Sequence, residues 1–148
     1  MKRWMILIAV LVLVMAVGSV QATDRASTGG RFLVAVMTGG QEVLPAVGDP
    51  DGVGVAFISL NQGQGRICFA IRVFRIDTVT MAHIHAGGAG VNGPVVVDFM
   101  PTEKGLVNCV SGIDRELIRA IRQNPGDYYV NIHTVNHPRG AVRGQLFR

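Results

Sequence analysis

Arg66–Arg75 reads RICFAIRVFR, and its alternation decides the fold. Ile67, Phe69, Ile71 and Val73 occupy one parity, while Arg66, Cys68, Ala70, Arg72 and Phe74 occupy the other. Successive side chains on a strand point to opposite faces, so this period of two predicts a β-strand whose odd-numbered face lies in a core. Upstream, NQGQG (61–65) has hairpin chemistry. It joins the strand to a second apolar run, VGVAFISL (53–60), in which Gly54 marks a bulge or a close backbone approach. A third run, RFLVAVMT (31–38), is separated from that pair by GGQEVLPAVGDPDG, whose Gly, Pro and Asp content predicts a long loop with several turns.

The same reading applies downstream. Residues 80–86, 95–99, 105–111, 128–134 and 141–147 are short β-type runs set apart by turn residues. Helical spacing is confined to IDRELIRAIRQ (113–123), where Ile113, Leu117, Ala120 and Ile121 recur at the helical period. Ser111 or Asp114 stands near its start, and Asn124-Pro125-Gly126 ends it. About eight strands and one helix without a βαβ rhythm predict an all-β domain. The expected form is an antiparallel, Greek-key-like sandwich or barrel.

The first 22 residues have a different character. Lys2 and Arg3 precede a nearly unbroken apolar run from Trp4, and Val20-Gln21-Ala22 is a small-x-small cleavage signal. This pattern predicts a secretory signal peptide over residues 1–22; the apolar run falls short of the ~20 residues of a membrane-spanning helix. Residues 23–31 are then expected as a flexible mature N-terminus and residues 32–148 as the β domain. Removal of Lys2 and Arg3 leaves 12 basic residues of 14 against 10 acidic ones, a net charge near +2 instead of +4. Two groups of arginines, Arg66, Arg72 and Arg75 in one and Arg115, Arg119 and Arg122 in the other, lack the density and aromatic interleaving of a nucleic-acid surface. No membrane span is expected after cleavage, and the destination is the periplasm or the cell exterior.

Cys68 and Cys109 are the two cysteines. In an exported chain they are expected to pair, closing a loop of about 40 residues that stabilises the fold by ~4 kcal/mol; two buried free thiols are the alternative.

The chemistry lies in MAHIHAGGAGVNGP (81–94) and YYVNIHT (128–134). If Ile84 faces the core, His83 and His85 share the opposite, outward face. If Val130 and Ile132 face the core, Asn131 and His133 turn outward with Tyr129. Neighbouring strands would bring three imidazoles together. Three neutral imidazoles suit Cu(II) or Zn(II); the alternative is that they hydrogen-bond loop backbone and orient the glycine loop. His137, beside Pro138 in a turn, is expected to be exposed and is not counted as a ligand.

Four motifs in order, QEVLP (41–45) after Gly-Gly, AHIHAGGAGVNGPVVV (82–97), YYVNIHT (128–134) and PRGAVRGQL (138–146), resemble the CHRD domain. That domain is named after chordin, an extracellular antagonist of bone morphogenetic proteins, and also occurs alone in exported bacterial proteins. The resemblance implies an immunoglobulin-like β-barrel or sandwich in an extracellular setting, and no established activity. Its motif positions here are Glu42, His83, His85, Gly87, Asn92, Gly93, Pro94, Asn131, His133, Gly140, Arg143 and Gly144. Leu44 departs from the pattern, which usually has a second proline there. Glu42 is expected to accept from an imidazole or from Arg143, fixing the long loop.

A second similarity is to the copper half of Cu/Zn superoxide dismutase, in which a His-x-His strand and a late strand supply ligands and an arginine guides anions. His83, His85, His133 and Arg143 match those places. The loop after His85 carries no bridging histidine and no zinc-ligand cluster, which leaves redox cycling poorly supported. No Ser-His-Asp or Cys-His spacing points to hydrolysis, and no catalytic residue is assigned. The expected function is a non-enzymatic exported binding or structural module with an unidentified protein or surface ligand. The alternative is a copper- or zinc-binding protein using His83, His85 and His133, with dismutase-like activity as its furthest extension.

Overall fold

The computed structural model describes residues 31–99 and 106–148. The expected signal peptide and most of the expected flexible N-terminus lie outside the described residues. Eight strands form one antiparallel sheet: β1 (Arg31–Thr38), β2 (Val53–Asn61), β3 (Arg66–Phe74), β4 (Val79–Ala86), β5 (Val95–Asp98), β6 (Val107–Ser111), β7 (Tyr128–Thr134) and β8 (Val142–Phe147). Their order across the sheet is β5-β4-β7-β8-β1-β2-β3-β6. Every pairing is antiparallel.

The sheet curls into a half-barrel because one parity of every long strand is apolar and must be removed from water. Leu33, Ala35 and Met37 of β1, Ala56, Ile58 and Leu60 of β2, and Ile67, Phe69 and Ile71 of β3 are buried together. Ala82 and Ile84, Val130 and Ile132, and Val142 and Leu146 continue the same inner face across β4, β7 and β8. The two flanks meet at Phe69 and Phe99, whose rings stack with centroids 4.2 Å apart. Phe99 follows β5, the first strand in the order, and Phe69 lies on β3, next to the last, so this contact closes the curl.

The one α-helix among the described residues, α1 (Arg115–Gln123), begins two residues later than the expected Ile113 because the Asp114 side chain caps it, accepting from the Glu116 N–H at 3.0 Å. Its buried residues are Ile118 and Ile121, which join the barrel core. The spacing set out from Ile113 and Leu117 therefore missed Ile118. Ile113 and Leu117 are partly buried against the same cluster.

Cys68 and Cys109 are bonded, and they face each other across β3 and β6 with Cα atoms 3.9 Å apart. The bridge ties the edge strand β6, only five residues long, to the body of the sheet. A Cys68→Ala/Cys109→Ala variant is expected to lose ~4 kcal/mol of unfolding free energy, measured by urea titration. A loss below ~1 kcal/mol would mean that strand pairing alone holds β6 in place.

Candidate metal centre

The pairing of β4 with β7 builds the site. Ile84 opposes Val130 and Ala82 opposes Ile132 on the inner face. The intervening residues, His83 opposite Asn131 and His85 opposite Tyr129, are thereby forced onto the outer face, where Met81 lies opposite His133. A register shift between Ile84 and His85 on the β5 side falls at the site itself, a common place for a bulge that re-aims a side chain. The sequence placed these histidines on the correct face. It did not show which segments cover that face.

His83 and His133 are 8% and 7% exposed, and Asn131 and Arg143 are buried beside them. The roof comes from three segments distant in sequence: the loop after β1, the glycine loop after β4 and the turn after β7. His85 Nδ1 lies 2.9 Å from the Gly93 carbonyl, and His133 Nδ1 lies 3.1 Å from the Pro138 carbonyl. A carbonyl only accepts, so each Nδ1 carries the proton and each Nε2 keeps its lone pair. His83 Nδ1 is 3.1 Å from His133 Nε2, which makes His83 the donor in that contact. The His85 Nε2 atom is buried and has no hydrogen-bond partner.

One ring nitrogen from each of His83, His85 and His133 can be chosen so that all lie within 4.8 Å of one another. Burial lowers the pKa of all three, with the neighbouring imidazoles adding to the depression at His85 and His133 and Asp98 opposing it at His83. Neutral imidazole is the form that binds metal. Asp98, opposite His83 in the β4–β5 pairing, places Oδ1 3.8 Å from His83 Nε2.

The remaining motif residues assemble the roof. Arg143 donates to the Gly88 and Val91 carbonyls at 2.9 Å each, to Gln145 Oε1 at 3.2 Å and to Asn92 Oδ1 at 3.4 Å. Its guanidinium also lies 3.5 Å from the centre of the Tyr129 ring, whose other neighbour is the stacked His85 ring at 4.8 Å. Asn92 donates to the Val43 and Leu44 carbonyls, joining the two loops. Gly87 N–H donates to the Asp127 carbonyl at 2.7 Å, and Ala86 N–H donates to the Pro94 carbonyl at 3.0 Å. At Gly93 a Cβ would collide with the Ala86 carbonyl oxygen, so the loop returns this close to β4 only as glycine. Arg143 is thus a buried clamp on the glycine loop, not a solvent-facing guide for anions.

Glu42 is the main correction among these residues. Neither an imidazole nor Arg143 donates to it; Asn131 Nδ2 does, at 3.3 Å to Oε2, while Oε1 is buried without a partner. Gly140, at φ 141°, leaves room for it: a Cβ there would stand 2.6 Å from both carboxylate oxygens. Desolvation raises the Glu42 pKa to about 7, against the lowering effects of Asn131, Arg143 and His137. His137 is half-buried rather than exposed; its Nδ1 is 2.9 Å from the Val47 carbonyl and its Nε2 3.7 Å from Asp49, so it pins the long loop to the β7–β8 turn. Tyr129, Gln145 and Asp98 were not singled out from sequence. Tyr129 was signalled by sharing a parity with Asn131 and His133; the other two gave no signal.

The Glu42 shift has a signed consequence for stability. A carboxyl whose folded pKa lies above its unfolded value is stabilising in its protonated state and loses that advantage as pH rises from about 4.5 to about 7. The three imidazoles, with lowered folded pKa values, act in the opposite direction, gaining stability as pH rises towards 6.5. Glu42→Gln removes only the first effect. The melting temperature of that variant relative to the parent is therefore expected to climb steadily between pH 4.5 and 7, as followed by thermal denaturation. A flat difference would show that Glu42 is solvated, and a falling one that the fold stabilises its ionised form.

The model of the CHRD domain matches residues 33–146, which spans β1 to β8 and every site residue named above. No curated protein and no solved structure shows significant similarity to the chain. The match takes in most of the molecule, with the roofed histidine face inside it. The chain belongs to the CHRD domain family.

Proposed function

We propose that this protein is an exported, non-enzymatic binding domain whose roofed histidine face holds one Cu(II) or Zn(II) ion. The observation that carries the reading is the buried, unpartnered Nε2 of His85, aimed into a cluster of three neutral imidazoles. A buried polar nitrogen without a partner costs on the order of 1–3 kcal/mol. A metal ion removes that cost and uses the lone pair.

The hydrogen bonds suggest which atoms would bind. His85 and His133 have their Nδ1 protons committed to backbone carbonyls, which leaves Nε2 on each. His83 would bind through Nδ1, the atom that faces His133, once its proton moves to Nε2 beside Asp98. Asp98 then accepts from the metal-bound ring, the usual second partner of a ligating histidine. Bonds of about 2 Å to a tetrahedral ion place ligand nitrogens roughly 3.3 Å apart. The cluster needs only small side-chain rotations to reach that spacing. Copper is favoured over zinc by the order of divalent affinities. Redox turnover is not part of the proposal: no further histidine follows His85 before His133, and Arg143 is engaged within the roof.

Export rests on the N-terminal pattern and on the Cys68–Cys109 bridge, which fits an oxidising compartment. Intact-mass analysis of the secreted product is expected to give a chain beginning at Thr23.

Calorimetric titration of the metal-free protein is expected to give one Cu(II) or Zn(II) site of sub-micromolar affinity, abolished in His83→Ala/His85→Ala. Asp98→Asn is expected to weaken affinity by about 10–100-fold with the unfolding free energy of the metal-free protein nearly unchanged. Absence of binding by the parent protein, with the histidine variant merely less stable, would assign the imidazoles to holding the roof.

A further inference from the structure

We infer that the uncovered half of the outer sheet face is a docking surface for an anionic lipid bilayer. The outer face is divided. Over β4, β7 and β8 it carries His83, His85, Asn131, His133 and Arg143 beneath the loops. Over β1, β2, β3, β6 and the end of β8 none of the described residues roofs it, yet it is apolar. Phe32 is 74% exposed, Phe74 59%, Phe57 51% and Phe147 46%, with Val36 and Val107 also exposed. The register makes these residues one patch: Val34 stands beside both Phe57 and Phe147, Val53 beside Phe74, and Ala70 between Phe57 and Val107. Soluble proteins rarely leave such a patch uncovered unless it meets a partner.

Charge identifies the partner. Arg66 and Arg72 project from β3 on the same parity as Phe74 and are exposed, and exposed Arg75 follows at the strand end. None of the residues of β1, β2, β3, β6 or β8 is an Asp or Glu. The nearest acids in sequence, Asp51, Asp77 and Asp114, stand beyond the strand ends. Apolar rings interspersed with cations match the interface of a bilayer with acidic headgroups, where rings enter the acyl boundary and guanidinium groups meet phosphate. A second copy is a poor fit: packing this face on itself would bury Arg66 and Arg72 against the same arginines with no acid to pair them. The surface is independent of metal binding, since none of the three imidazoles belongs to the uncovered half.

The test is sedimentation of the exported, processed chain with vesicles of pure phosphatidylcholine and with vesicles containing phosphatidylglycerol. The expected result is association with the anionic vesicles that is roughly tenfold weaker on the neutral ones and falls as salt is raised. Phe32→Ser/Phe57→Ser is expected to abolish it, and Arg66→Gln/Arg72→Gln to reduce anionic binding to the neutral level; both sets of side chains are exposed, and unchanged melting curves check that the fold is kept. The inference is overturned if the parent chain stays in the supernatant with anionic vesicles, or if the variants bind as the parent does. Light scattering that finds a dimer dispersed by Phe32→Ser/Phe57→Ser would assign the face to a second copy and also overturn it. Binding that appears only after removal of residues 23–30 would assign the face to that segment, with the same consequence.

Discussion

The antiparallel pairing of β4 with β7 is the constraint on which the rest depends. Once Ala82, Ile84, Val130 and Ile132 seal the inner face, the residues between them have nowhere to go but the other side. Those residues are His83, His85, Asn131 and His133. Four hydrogen-bonding side chains on adjacent strands cannot be left beneath a cover without partners. The loops that cover them therefore do so with backbone carbonyls at Gly93 and Pro138 and a carboxylate at Glu42. The long connections are thus part of the histidine face rather than ornaments on it.

Arg143 translates that demand into architecture. A buried guanidinium needs several acceptors, and two loop carbonyls, Asn92 and Gln145 supply them while Tyr129 covers its flat surface. Tyr129 in turn stacks on His85 and accepts from the Gly93 N–H. One cation thereby links β8, the glycine loop, β7 and a ring of the histidine cluster. Its pKa is lowered by burial, with Tyr129 and Glu42 acting in its favour, yet an arginine starts high enough to stay charged.

The strands were legible because alternation is a local property. RICFAIRVFR and YYVNIHT each carry their two faces within seven to ten residues; burial alternates along the first, while in the second both faces are buried, one by the core and one by the loops. The disulfide was legible because two cysteines in a chain with an export signature leave one pairing. What escaped was whatever depends on contacts between remote segments. Glu42 meets Asn131 across 89 positions, and nothing near either residue selects that partner over Arg143. The particular carbonyls that meet His85 and His133, at Gly93 and Pro138, were hidden for the same reason: they come from the loops that roof the face. The helix start was left open between Ser111 and Asp114, and the hydrogen bond that decides it, from the Glu116 N–H to Asp114, is not visible in a count of apolar residues.

The carbonyls that orient His85 and His133 belong to the main chain. Substituting the side chain at position 138 leaves its carbonyl in place, so the tautomer of His133 is insulated from most drift in sequence. His85 has no such insulation. Its carbonyl comes from Gly93, where any Cβ strikes the Ala86 oxygen and must push the loop away. A residue with no functional group of its own therefore governs which nitrogen of His85 holds a proton, and so whether that ring presents a lone pair or a donor to its neighbours.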